Sequence, residues 1–206
     1  MVDFKLSEEQ TLLKDSVERF LADEYSLEKR RALVASEEGF NRTNWKTFAD
    51  LGWLAVPFAE ANGGLGGGPV EVMVLMESFG RSLVVEPYLH VIVTAASLIE
   101  TLGTEELKAS IMPEIISGQK LVTLAHVEPQ ARYNLSDVVT KASKTSDGFK
   151  LSGHKAVVFY GGSADHFVVS ARTSGNQTDE SGISLFLVDS KLPGITKRPY
   201  PTIDGL

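Results

Sequence analysis

Leu107-Lys108-Ala109-Ser110-Ile111-Met112-Pro113-Glu114-Ile115-Ile116-Ser117-Gly118-Gln119-Lys120-Leu121-Val122-Thr123-Leu124-Ala125-His126-Val127 is the stretch in which the chain changes period. Up to Gly118, Leu107, Ile111 and Ile115 recur at helical spacing behind the cap residue Thr104, and Pro113 is expected to kink the last turns. From Lys120 onward the run Leu121 to Val127 is β-rich and carries no helical stripe. Helices on one side of such a boundary and strands on the other imply segregated units. The expected architecture is α+β, with an all-α domain over 1–118 followed by an antiparallel β-barrel or sandwich domain over 119–206.

Both flanks support this division. Upstream, Ser7-Glu8-Glu9-Gln10 is a capping box ahead of Leu13, Val17, Phe20 and Leu21 at helical spacing. A second helix carries Trp45 and Phe48 and stops at Gly52, and a third begins at Pro69 and continues through Val72, Met76 and Phe79. Tyr88 to Leu102 is apolar on most sides and reads as a buried helix ending at Gly103. Downstream, Val138 to Ala142, Phe149 to Leu151, Ala156 to Tyr160, His166 to Ala171 and Ile183 to Val188 are short strand-like runs separated by Gly- and Ser-rich turns.

Composition narrows the function. A net charge of −7 disfavours nucleic acid and anionic membranes as partners, because phosphate binding requires clustered Lys and Arg. The absence of cysteine removes disulfides, thiolate nucleophiles and thiolate-bound metals. With no signal-like start and no apolar run approaching the ~20 residues of a membrane span, a cytoplasmic location is expected. His90, His126, His154 and His166 show no metal-ligand spacing. Neither Gly162-Ser163-Ala164 nor Gly182-Ile183-Ser184 has the second glycine of a nucleophile elbow. The loop Gly63 to Gly68 matches neither phosphate-binding glycine pattern and reads as a connector. These features alone describe an α-plus-β protein without naming a reaction.

Longer motifs do name one. Glu128-Pro129 followed by Ser136-Asp137 resembles the T-E-P-x-A-G-S-D signature of acyl-CoA dehydrogenases. Gly148-Phe149-Lys150-Leu151-Ser152-Gly153-His154-Lys155 is similar to that family's G-y-x-L-N-G-x-K hairpin, and Ala164-Asp165 through Arg172-Thr173 to its A-D-x-x-V-V-x-A-R-T strand. Leu51-Gly52-Trp53 through Pro57, with Gly63, Gly64 and Gly66, resembles its L-G-x-x-G-x-x-x-P-E-x-x-G-G-x-G segment. The four motifs occur in family order across nearly the whole chain. A finer likeness, over Asp3 to Asp15, Gly66 to Glu71, Arg132-Tyr133 and Pro201 to Leu206, is to small subunits of heteromeric enzymes of the pimeloyl-CoA dehydrogenase type.

The resemblance implies α,β-dehydrogenation of an acyl-CoA thioester with FAD as cofactor and an electron-transfer flavoprotein as electron acceptor, in a homo- or hetero-oligomer with another acyl-CoA dehydrogenase subunit. It places Leu124, His126 and Val127 beside the flavin, Ser136 near both the flavin and the thioester end of CoA, and Val157 and Phe159 on a strand packed against the flavin ring. His90 falls near the end of the acyl pocket, where it would meet a distal carboxylate or, in the plainer reading, be a satisfied core histidine. No catalytic residue is assigned: the resemblance implies that the proton-abstracting carboxylate belongs to a carboxy-terminal helical domain, which is expected to be absent from these 206 residues, so the chain alone is expected to be inactive. The alternative is a non-catalytic structural or binding subunit. The sequence departs from the family at three flavin-facing positions, with Val127 for Thr, Val157 for an aromatic and Phe159 for Thr, and it carries the longer loop Gln130 to Leu135.

Overall fold

The structure, a computed structural model, describes residues 5–203; Asp3, Phe4 and Asp204 to Leu206 of the finer likeness lie outside the described residues. The chain divides into two compact units, one running to Gln119 and taking in the segment from Tyr200, the other Lys120–Pro199.

The first unit is helical. α1 (Glu8–Glu24) starts on the reciprocal Ser7–Gln10 capping box, in which each side chain satisfies the other residue's backbone N–H. α2 (Leu27–Val34) is capped by Ser26, and α3 (Arg42–Asp50) by Asn41 ahead of Gly52, whose φ of 78° is the left-handed turn expected there. α4 (Pro69–Ser82) begins on proline, and the Glu71 carboxylate accepts from Gly68 N–H (2.7 Å) and from Gln10 Nε2 of α1 (2.7 Å). The rings of Phe20, Phe48, Trp53, Phe79 and Tyr88 form the core, with Phe48 stacked on Phe79 at 5.2 Å and the Tyr88 hydroxyl donating to Trp53 O.

The apolar helix expected from Tyr88 to Leu102 is present with a change of winding. Leu89–Ala96 is a π-helix, and α5 (Ser97–Leu102) continues it. Thr94 and Ser97 hydroxyls donate five residues back, to Leu89 O and Ile92 O, and Ile92 O accepts the Ser97 N–H as well. α6 (Glu105–Ile116) contains Pro113 and ends before Gly118. Among the described residues no helix is long and apolar enough to cross a membrane.

The second unit is a sheet of β1 (Val122–Ala125), β2 (Lys141–Thr145), β3 (Gly148–Ser152), β4 (His166–Arg172) and β5 (Ile183–Asp189). The α-then-β order is as expected, and the sheet is mixed. Antiparallel pairs join β2 to β3 and β4 to β5, whereas β1 lies parallel to β4 from Val122↔His166 to Ala125↔Val169, and β2 meets β4 parallel at Lys141↔Arg172. Parallel pairing requires a crossover, which residues 126–165 supply with the β2–β3 hairpin inside it.

One expected strand is absent. Ala156 to Tyr160 forms a loop and turn, because Val157 (φ 51°) and Tyr160 (φ 53°) adopt left-handed backbone that an extended strand excludes. Val157 and Phe159 therefore do not lie on a strand.

Candidate functional site

The segment leaving β1 is organised by one carboxylate. Glu128 is 1% exposed, and a carboxylate so buried must have its oxygens saturated. It accepts from Lys155 Nζ (2.6 Å), Val139 N–H (2.8 Å), Gln130 Nε2 (2.9 Å) and Thr140 N–H (3.1 Å). Burial pushes its carboxyl up, but the four donors outweigh burial and hold it at about 2. Glu128 is thus a fixed anion at neutral pH and unsuited to accepting a proton.

Lys155 spreads its other donors to His126 O (3.3 Å) and Ser170 Oγ (3.0 Å). Burial lowers its ammonium, and Glu128 opposes that. Gly153 lets this hairpin exit come close, since a Cβ there would lie 2.3 Å from Thr140 Oγ1 and 2.6 Å from Thr140 Cα.

Around the carboxy-terminal end of β1 the structure gathers most of the sequence-derived candidates. Leu124 is half-buried on β1 opposite Val168. His126 follows the strand, with its ring Nδ1 buried and without a hydrogen-bond partner; burial and then the Lys155 charge lower its pKa, so the imidazole is neutral near pH 7. The 156–160 turn is tied to this strand twice, by Ala156 N–H to Val127 O (2.8 Å) and by the Thr123 hydroxyl to Phe159 O (2.8 Å). Val157 and Phe159 are nonetheless 42% and 47% exposed. An ordered turn that presents two large apolar side chains beside a buried polar ring atom has the make-up of a ligand-facing edge.

Ser136 is held by a different residue. Its N–H donates to Asn134 Oδ1 (3.0 Å) and its carbonyl accepts from Arg172 Nη2 (2.7 Å). Lys155 and Arg172 were visible in the motifs but not singled out, because their partners lie 27 and 36 residues away in the chain.

His90 belongs to the helical unit. It is half-buried on the π-helix, and burial lowers its pKa, so at neutral pH it can offer a neutral N–H and not a cation. That unit has its own buried carboxylate: Glu86, 5% exposed, accepts from Tyr25 OH (2.5 Å) and Asn44 Nδ2 (3.1 Å). Among the described residues no three His, Cys, Asp or Glu side chains converge as a metal site requires.

Comparison with known proteins matches residues 7–119 to the acyl-CoA dehydrogenase N-terminal domain and residues 123–206 to the acyl-CoA dehydrogenase middle domain. The acyl-CoA dehydrogenase FadE27 of Mycobacterium tuberculosis is 29% identical over 201 residues, covering 98% of this chain and 51% of the relative. Among solved structures, a variant of the Tcur3481-Tcur3483 steroid ACAD superposes with a TM-score of 0.85 at 31% identity, over 96% of this chain and 52% of that one. The ChsE4-ChsE5 complex from Mycobacterium tuberculosis gives 0.82 at 29% identity, over 95% and 50%. The chain spans about half the length of the curated relatives it matches.

Proposed function

The chain belongs to the acyl-CoA dehydrogenase family, whose cofactor is FAD, and on that premise we propose that it supplies the flavin- and thioester-facing part of an enzyme that oxidises an acyl-CoA to its trans-2-enoyl-CoA. The observation that carries this reading is the 156–160 turn, pinned to β1 by two 2.8 Å hydrogen bonds yet presenting Val157 and Phe159 to the outside. An apolar shelf of that kind suits one face of a flat aromatic ring.

The fit is apolar where the family is polar. Val127 and Phe159 stand where hydroxyls usually do, so the main chain beside β1 would hold the polar edge of the ring, with His126 and Leu124 lining it and Ser136 reaching both flavin and thioester. When bound, FAD would accept the hydride from the β-carbon. The residues of this chain orient the acyl-CoA and exclude water from it.

The α-proton leaves to a carboxylate that we place outside residues 5–203. Glu128 is excluded from that role because four donors occupy its oxygens and leave it too weak a base. Assembly with a second acyl-CoA dehydrogenase subunit, and electron transfer to an electron-transfer flavoprotein, complete the reading; the heteromeric ChsE4-ChsE5 relative supports the first.

A second reading, a non-catalytic subunit that shapes a catalytic partner, is favoured by the three flavin-facing departures at 127, 157 and 159. The native protein, purified with any subunit that accompanies it, separates the two. Flavin absorbance that bleaches anaerobically on adding an acyl-CoA supports the enzyme. A preparation in which mutating Val157 and Phe159 leaves flavin content and bleaching untouched assigns this chain to the structural role.

A further inference from the structure

Arg172, the last residue of β4, is 7% exposed. A guanidinium removed from water needs acceptors for its five N–H groups, and here they are carbonyl oxygens. Nη2 donates to Ser136 O and Gln177 O (2.7 Å each), and Nη1 to Ser181 O (2.7 Å) and Asp179 O (2.9 Å), while Nε has no partner. Four main-chain acceptors on one rigid fork fix the path of the backbone and not the position of another side chain.

Three of the acceptors lie in one loop, 177–181, and the fourth is Ser136, 36 residues upstream. The loop strengthens this tie: Gln177 O accepts from Val138 N–H (3.0 Å) and Gln177 Nε2 donates to Asp137 Oδ1 (2.7 Å). At its other side Ser136 N–H is taken by Asn134 Oδ1 in a local Asx turn. The main chain of Ser136 is therefore pinned at both N–H and C=O, and among the described residues its hydroxyl makes no hydrogen bond to protein.

We propose that Arg172 is a positioning residue for ligand binding: by holding the Ser136 carbonyl to the 177–181 loop, it aims the Ser136 hydroxyl at the flavin and acyl-CoA, a role that rests on the function proposed above. Lysine cannot reproduce it fully, because a point charge replaces a fork.

The test uses the native protein, with any subunit that accompanies it, as wild type, Ser136→Ala, Arg172→Met, Arg172→Lys and Val168→Ala. The last trims a buried residue of the same strand and controls for stability loss. FAD affinity by flavin fluorescence, KM and kcat for an acyl-CoA that reduces the flavin, and Tm are measured. Arg172→Met is expected to weaken FAD binding or raise KM about tenfold, with kcat within about twofold. Arg172→Lys recovers part of the loss, Ser136→Ala reproduces it, and Val168→Ala lowers Tm without it. The inference is overturned if binding loss follows Tm alike in Arg172→Met and Val168→Ala, or if Ser136→Ala weakens binding and Arg172→Met does not. A wild type that binds neither FAD nor acyl-CoA refutes the proposed function itself, and the inference falls with it.

Discussion

Lys155 and Glu128 meet at 2.6 Å with side chains 9% and 0% exposed, and through this pair the hairpin exit is fastened to the main chain that leaves β1. Two charges so buried gain little over an apolar pair of the same shape, yet each becomes expensive without the other.

Glu128→Gln is accordingly expected to destabilise the β unit by about 3 kcal/mol or more, since it leaves a buried ammonium short of its counter-charge. The folded pKa of Glu128 is depressed, so its stabilisation is complete above the unfolded value near 4.5 and is lost as pH falls toward about 2. Urea titrations from pH 6 to pH 2.5 should show this loss in wild type and a flatter profile in Glu128→Gln. Equal profiles would mean that the pair is energetically silent.

Glu86 has the opposite sign. Burial raises its pKa, so the stability it contributes is full below the unfolded value and declines as pH rises through the folded one. Glu86→Gln should remove that decline. Tyr25→Phe deletes both the donor to Glu86 and the acceptor of Val85 N–H (2.7 Å), at a cost of about 2 kcal/mol. Trp45 and Trp53, the two tryptophans of the chain, both sit in the helical core, so their fluorescence follows this unit alone.

Val157 holds φ at 51°, a β-branched residue in left-handed backbone, and such strain costs about 1–3 kcal/mol. Val157→Asn, which tolerates that region, should raise thermal stability by about 1 kcal/mol and lower FAD content. Stability gained with flavin retention unchanged would show that the strained valine does not serve the cofactor.

For the acyl end, His90→Leu should change the ratio of kcat/KM between dicarboxylic and monocarboxylic acyl-CoAs of equal length if the imidazole meets a distal carboxylate. Burial lowers the His90 pKa, so the dicarboxylic preference should grow as pH drops and the ring gains its proton. An unchanged ratio at every pH would leave His90 as a core residue.

Local chemistry was the legible part of the sequence. The caps at Ser7 and Thr104 and the Pro69 start were readable because each is settled within one helical turn. Leu27–Val34 escaped because its eight residues, half of them charged, bury none of their number, which leaves no stripe to see. Ala156 to Tyr160 read as a strand because its residues have strand composition, while its left-handed φ at 157 and 160 accompanies long-range ties to Thr123 and Val127 that composition does not encode. The Lys155–Glu128 and Arg172–Ser136 contacts span 27 and 36 residues, and no periodicity encodes such distances.

The parallel seam of β1 against β4 sets an order of assembly. β2 and β3 pair over a short turn from neighbouring sequence, whereas Val122 finds His166 only when 44 further residues have been made. On the ribosome, β1 emerges first and waits, an apolar edge without its neighbour, until β4 arrives. Slowed synthesis within residues 126–165 would prolong that exposure, whereas a delay that begins only once β4 and β5 have left the ribosome would find the sheet already closed.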